Sequence, residues 1–159
     1  EDLDQNLQNY AAVLQKDLGL SVQEIAGAGA AGGLGAGLVA FTPAQLKPGI
    51  EIILDAVSFS AIIADADLII TGEGKIDGQS LRGKVPIGIA DRAKNSGVPV
   101  IAIVGDVGDG LEAIYQRGIS AIFSTNRVAV PFSEARLRAH KDLVETSEAI
   151  ARLFKIAGW

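Results

Sequence analysis

The stretch TGEGKIDGQSLRGK, residues 71–84, crowds Glu73, Lys75, Asp77 and Lys84 among glycines, directly after the apolar run ADLIITG. An ordinary surface turn does not need Glu, Lys and Asp at two-residue steps. A magnesium–phosphate pair does, because carboxylates bind the metal and ammonium groups offset phosphate charge. Glu73 and Asp77 are therefore candidate metal ligands, or the base that accepts a hydroxyl proton, and the residue types alone do not separate those roles. Lys75 and Lys84 are candidate phosphate contacts. Two more loops, GDVGDG and STNR, follow apolar runs further along and can bring Asp106, Asp109 and Arg127 to the same crevice. The plainer reading of GDVGDG is a turn in which Asp109 caps the next helix.

A second glycine block, GAGAAG at Gly27–Gly32, matches the dinucleotide fingerprint letter for letter. That fingerprint requires a buried strand just before it, whereas SVQEIA carries the helix-start pair Ser21 and Glu24. Gly27, Gly29, Gly32 and Gly33 can instead present backbone N–H groups to a phosphate or carboxylate, or let two elements pack closely. GQSLRGKV imitates a Walker A loop, but Val85 and Pro86 stand where a magnesium-binding hydroxyl belongs, so it is no P-loop. His140, the chain's one histidine, lies in a helical stretch and reads as a surface residue.

These groups need elements to position them. Leu3, Leu7, Tyr10, Ala11, Leu14 and Leu18 mark one face of an opening helix that Gly19 ends. Thr42, Pro43 and Gln45 read as the start of another helix, and apolar helical material continues to Asp65. From Asp67 the rhythm changes. DLIIT (67–71), PVIAIVG (99–105) and SAIFST (120–125) are short apolar runs separated by helical segments that close at Gly97 and Gly118. Such runs are strands buried on both faces, paired in parallel through right-handed crossovers. A long last helix shows Leu143, Ser147, Ile150, Phe154 and Ala157 on one face. The expected class is α/β: a three-strand parallel unit from about residue 65 onward, with a seam near 64–66 where glycine-rich helical material gives way to it.

The composition excludes several functions. With 14 Lys plus Arg against 19 Asp plus Glu, the net charge of −5 opposes nucleic-acid or anionic-membrane binding. No apolar run is long enough to span a membrane, and the acidic start is no signal peptide. The absence of cysteine removes disulfides, thiolate nucleophiles and Cys–zinc sites and is compatible with the expected cytoplasmic location. Beginning at Glu1 rather than Met, the 159-residue chain reads as a processed or excised piece.

GAGAAGGLGAGL, LKPGIE, ADLIITGEGKIDGQSLRGKVPIGIA and PVIAIVG together resemble the bacterial glycerate kinases of the first type, from about Asp4 to the last helix. The resemblance implies phosphoryl transfer from ATP to D-glycerate with magnesium, giving a phosphoglycerate, with the 2-phosphate favoured. It implies a two-domain protein more than twice this length, of which this chain is a fragment inactive alone: residues 1–64 are the glycine-rich helical end of an inserted second α/β domain, and 65–159 belong to a Rossmann-like parallel sheet with helices on both faces. It leaves a homodimer open. Within the motif TGEG-x-x-D-x-Q-S it implies that Gly72, Gly74, Lys75, Gln79 and Ser80 contact substrate or nucleotide, beside Glu73, Asp77 and Lys84 as catalytic or metal-binding groups. Two alternatives remain. One is an NAD-dependent oxidoreductase using GAGAAG, and the other is a non-catalytic module binding a nucleotide or organic acid.

Overall fold

A computed structural model describes residues 2–158. The chain divides into two compact units, one up to Pro48 and one from Gly49 onward. The boundary lies ahead of the seam expected at 64–66, and packing explains the difference. Helix α3 (Gly49–Ala56) docks on α5 (Val85–Lys94). There a Cβ on Gly88 would stand 2.6 Å from Ile50 Cγ1. Arg92 of α5 also reaches Glu51 and Asp55 of α3. Hydrogen bonds to Glu51 first, then to Asp55, raise the Arg92 pKa above its ordinary value and keep the guanidinium charged.

Gly88→Ala tests that docking. Alanine in a helix interior gains about 1 kcal/mol over glycine, whereas forcing a methyl into packed space costs about 1–3 kcal/mol. The clash outweighs the propensity, so a thermal melt should show a lower Tm. A raised Tm would show that Ile50 does not hold the contact.

In the first unit, α1 (Asp2–Leu18) buries Ala11 and Leu14 with Val22, Ala28 and Ala36. Leu3 and Leu18, expected on the same face, are exposed. Gly19 ends the helix with φ +67°, as the sequence suggested. Ser21 starts no helix: residues 19–29 are turns and coil with no strand among them. Helix α2 (Ala30–Phe41) begins only after the first glycines and is kinked at Ala31, Gly32 and Gly33, all with positive φ. The expected start at Thr42 is also overturned, because Thr42 ends α2 instead. Its hydroxyl donates to the Leu38 carbonyl at 2.6 Å and accepts the Ala44 N–H at 3.2 Å.

The second unit is a parallel three-stranded sheet in the order β1 (Ile69–Ile76), β2 (Val100–Val107), β3 (Ile119–Ser124). Between β2 and β3 the register shifts at Val100/Ile101, where Ser120 takes the Val100 N–H on its hydroxyl at 3.2 Å. The short α4 (Phe59–Ile62) leads into the sheet, and α5 and α6 (Leu111–Gln116) are the crossovers. One face buries Val100, Ala102 and Val104 with Ile87 and Ala90 of α5 and Ile114 of α6. On the other face, Phe123 of β3 shares a hollow with Thr146 and Ile150 of α7 (Phe132–Ala157). Helices thus flank both faces, as expected.

The buried stripe of α7 differs from the expected one. It runs through Asp142, Thr146 and Ile150, while Leu143 is 46% exposed. Apolar spacing pointed to Leu143, but Arg138 pairs with Asp142 at 3.0 and 3.2 Å and lets a carboxylate occupy the buried position.

Candidate active site at the carboxyl ends of the strands

The charged segment is not a loose loop. β1 runs through Glu73, Gly74 and Lys75, because Glu73 pairs with Val104 and Lys75 with Asp106 in the ladder. Strand pairing thereby carries Lys75 and Asp106 side by side to the strand tips. The Lys75 ammonium lies 3.8 Å from Asp106 Oδ2 and 3.9 Å from Asp77 Oδ2. Both distances exceed a direct hydrogen bond, so one cation stands loosely between two carboxylates. Lys84, at the start of α5, brings a second cation close: its Nζ donates to the Lys75 carbonyl at 3.0 Å.

Asp77 is held from two sides. It is the N-cap of a 3-10 helix, Gly78–Arg82, and its Oδ1 accepts the Gln79 N–H at 3.0 Å. The Asp77 N–H donates in return to the hydroxyl of the fully buried Ser80 at 3.1 Å. This reciprocal cap fixes one carboxylate oxygen and leaves Oδ2 toward Lys75. Gly108 closes the other side, where its N–H donates to the Ile76 carbonyl at 2.8 Å. A Cβ on Gly108 would lie 2.8 Å from Asp77 Cβ and 3.3 Å from Lys75 Cε.

Ser80→Ala should therefore lower stability by about 1 kcal/mol, since it removes the acceptor of the part-buried Asp77 N–H and half of the reciprocal cap. An unchanged denaturation midpoint would show that the cap does not hold this turn.

Next to Lys75 and Asp106 a cleft of about 620 Å³ opens between the strand tips and α7. Its floor includes Gly74 and Gly105, and its far wall includes Phe132, Arg136 and Asp142. The floor is open because both strands carry glycine there. The fit between them is close enough that a Cβ on Gly105 would meet the Gly74 carbonyl oxygen at 2.5 Å. The cleft lies outside the carboxyl ends of parallel strands, the usual ligand position in open α/β sheets.

The structure thus gathers Lys75, Asp77, Lys84 and Asp106. Glu73 is half-buried, and its Oε1 accepts its neighbour's Gly74 N–H at 3.3 Å. Gln79 and Ser80 serve the Asp77 turn, and Gly72 packs its Cα against the β2 backbone beside Ile103. Asp109 does not cap α6. Gly110 takes that position with φ +82°, while the Asp109 carbonyl receives the Gly78 N–H at 2.9 Å. Arg127 pairs with Glu145 at 3.5 Å.

Gly27, Gly29, Gly32 and Gly33 belong to the first unit. Gly33 there meets α1, since a Cβ would stand 3.0 Å from Leu7 Cδ2 and 3.2 Å from Tyr10 Cδ1. Sequence reasoning missed Phe132, Arg136 and Asp142. They lie on a helix distant in the chain, and which of its faces turns toward the strand tips is decided by tertiary packing.

Among the described residues no three Asp, Glu or His side chains converge as a metal cage. Magnesium does not need one, because it binds through one or two carboxylates, water and substrate phosphates. The carboxylates at hand for that pattern are Asp77 and the neighbouring Glu73, with Asp106 across the Lys75 ammonium that stands between it and Asp77.

Comparison with known proteins shows the family. The model of the Glycerate kinase family matches residues 1–155. The Bacillus subtilis glycerate kinase is 47% identical over 98% of this chain and 41% of its own length. The Halalkalibacterium halodurans glycerate kinase is 47% identical over 94% of this chain and 40% of its own. A protein named glycerate 2-kinase from Escherichia coli is 45% identical over 98% of this chain and 41% of its own. A crystal structure provisionally assigned as glycerate kinase 2 from Salmonella typhimurium LT2 superposes with a TM-score of 0.69 at 43% identity, covering 95% of this chain and 38% of that one. This chain spans about two fifths of the length of these relatives. With a parallel sheet, a cationic and acidic cluster at its tips and a family match along nearly its whole length, the chain belongs to the glycerate kinase family.

Proposed function

We propose that this chain supplies the strand-tip site of an ATP-dependent kinase that phosphorylates D-glycerate, with 2-phosphoglycerate as product. The observation that carries this reading is Lys75 standing between Asp77 and Asp106 at the carboxyl ends of β1 and β2. The name of the Escherichia coli relative, glycerate 2-kinase, supports the position of transfer.

In the reaction, the glycerate hydroxyl oxygen bonds to the γ-phosphorus, the bond to the β–γ bridging oxygen breaks, and ADP leaves. Such transfer asks mainly for positioning and charge compensation. Lys75 and Lys84 offset charge on the phosphate oxygens. Asp77, with Glu73 or Asp106, would hold magnesium, which would supply charge neutralisation at the phosphates. Glu73 or Asp77 accepts the hydroxyl proton. Gly27, Gly29 and Gly32 are assigned to substrate or nucleotide through their backbone amides, whereas the Gly33 N–H already donates to the Gly29 carbonyl at 3.2 Å and its place against α1 accounts for that glycine.

Support for the oxidoreductase alternative is weaker, because turns rather than a strand precede Gly27. D-glycerate-dependent ADP release by the full-length protein tests the kinase reading. Absence of ADP formation, with ATP and magnesium present, would overturn it.

A further inference from the structure

The cleft beside Lys75 is larger than a three-carbon acid needs. Its volume of about 620 Å³ falls in the range of pockets that enclose drug-sized ligands, about 300–1,000 Å³. Its two sides also differ in chemistry. The strand tips bring Lys75 and Asp106, whereas the α7 side brings Val130, Phe132, Ala135 and Ala139 together with Arg136 and Asp142, the latter paired with Arg138. Phe132 is 82% exposed, a large ring at the mouth of a charged site with little of its own fold to cover it.

The cations along α7 and the loop before it separate into two kinds. Arg127 is paired with Glu145, and Arg138 with the buried Asp142. Arg136, which lines the cleft, has no ion-pair partner among the described residues. Asn126 also lines the cleft. Its backbone N–H is held by the Ser124 hydroxyl at 3.0 Å, so the turn does not depend on its side chain.

We propose that the α7 wall of this cleft seats the nucleoside half of ATP, with Phe132 as the stacking surface for the base and Arg136 directed at the phosphates. This rests on the kinase reading and deepens it by assigning the two sides of one site. A purine offers a flat apolar face and an edge of hydrogen-bonding groups, which suits an exposed phenyl ring beside an asparagine amide. D-Glycerate offers no such face. Its small, fully polar body belongs on the Lys75–Asp77 side.

The test uses the full-length protein. A thermal melt of Phe132→Ala beside the wild type checks that the fold is kept. Loss of base stacking should raise KM for ATP about tenfold or more and weaken ADP binding by calorimetry to the same degree. KM for D-glycerate should stay within about twofold. Arg136→Ala should also weaken ADP binding. If the wild type makes no ADP, the kinase reading falls. If the wild type is active but Phe132→Ala keeps its ADP affinity, or raises KM for D-glycerate as much as that for ATP, the nucleoside seat is overturned.

Discussion

Asp77→Asn in the full-length protein is expected to lower kcat for D-glycerate-dependent ADP formation by about a hundredfold or more, the scale for losing a positioned acid–base or metal-binding carboxylate. The substitution separates chemistry from folding. Asparagine keeps the side-chain oxygen that accepts the Gln79 N–H at 3.0 Å, and the Ser80 hydroxyl still receives the residue's own N–H. The cap therefore survives, and the negative charge facing Lys75 is lost. Stability should change little, and a loss of turnover is then a loss at the site. Glu73→Gln in the same assay is the comparison. A larger loss there would make Glu73 the residue that accepts the proton, and near-normal turnover in the Asp77 variant would remove Asp77 from the mechanism.

Gly108→Ala should reduce kcat/KM by about ten- to a hundredfold while unfolding remains cooperative. The added methyl would sit 2.8 Å from Asp77 Cβ and 3.3 Å from Lys75 Cε. The backbone at Gly108 is tied to the Ile76 carbonyl at 2.8 Å, so the turn cannot easily retreat. Relief comes instead by displacing Asp77 and the Lys75 stem. Misplacing positioning groups by about an ångström can cost on the order of a hundredfold in rate. Gly108 is not among the positive-φ glycines, so alanine brings no backbone strain to confuse the result. Wild-type kinetics in this variant would show that the Asp77–Lys75 geometry tolerates movement.

The amino-acid sequence was sufficient for the strand and helix rhythm from residue 67 onward. Apolar runs of Ile and Val and the glycines that stop helices are local signals, and Gly97 and Gly118 take positive φ after α5 and α6 as such signals require. Local capping chemistry was less decisive. Thr42 carries helix-start spacing, yet its hydroxyl turns back to close α2, because a threonine hydroxyl can bond at either end of a helix.

GEGKIDG is dense in glycine, yet the ladder with β2 holds it as strand. Once Glu73 pairs with Val104 and Lys75 with Asp106, the neighbouring strand supplies the order that the glycines lack. Residue types alone thus marked Glu73, Lys75, Asp77 and Lys84 as candidates for a phosphate and its metal. Only the tertiary structure decided which of them meet, because Asp106 reaches Lys75 through pairing between strands, and α7 reaches the cleft by packing its Asp142 stripe inward with Arg138 as partner. Spacing along a chain records the local fold, whereas a site assembled from distant elements depends on register and burial that no short stretch contains.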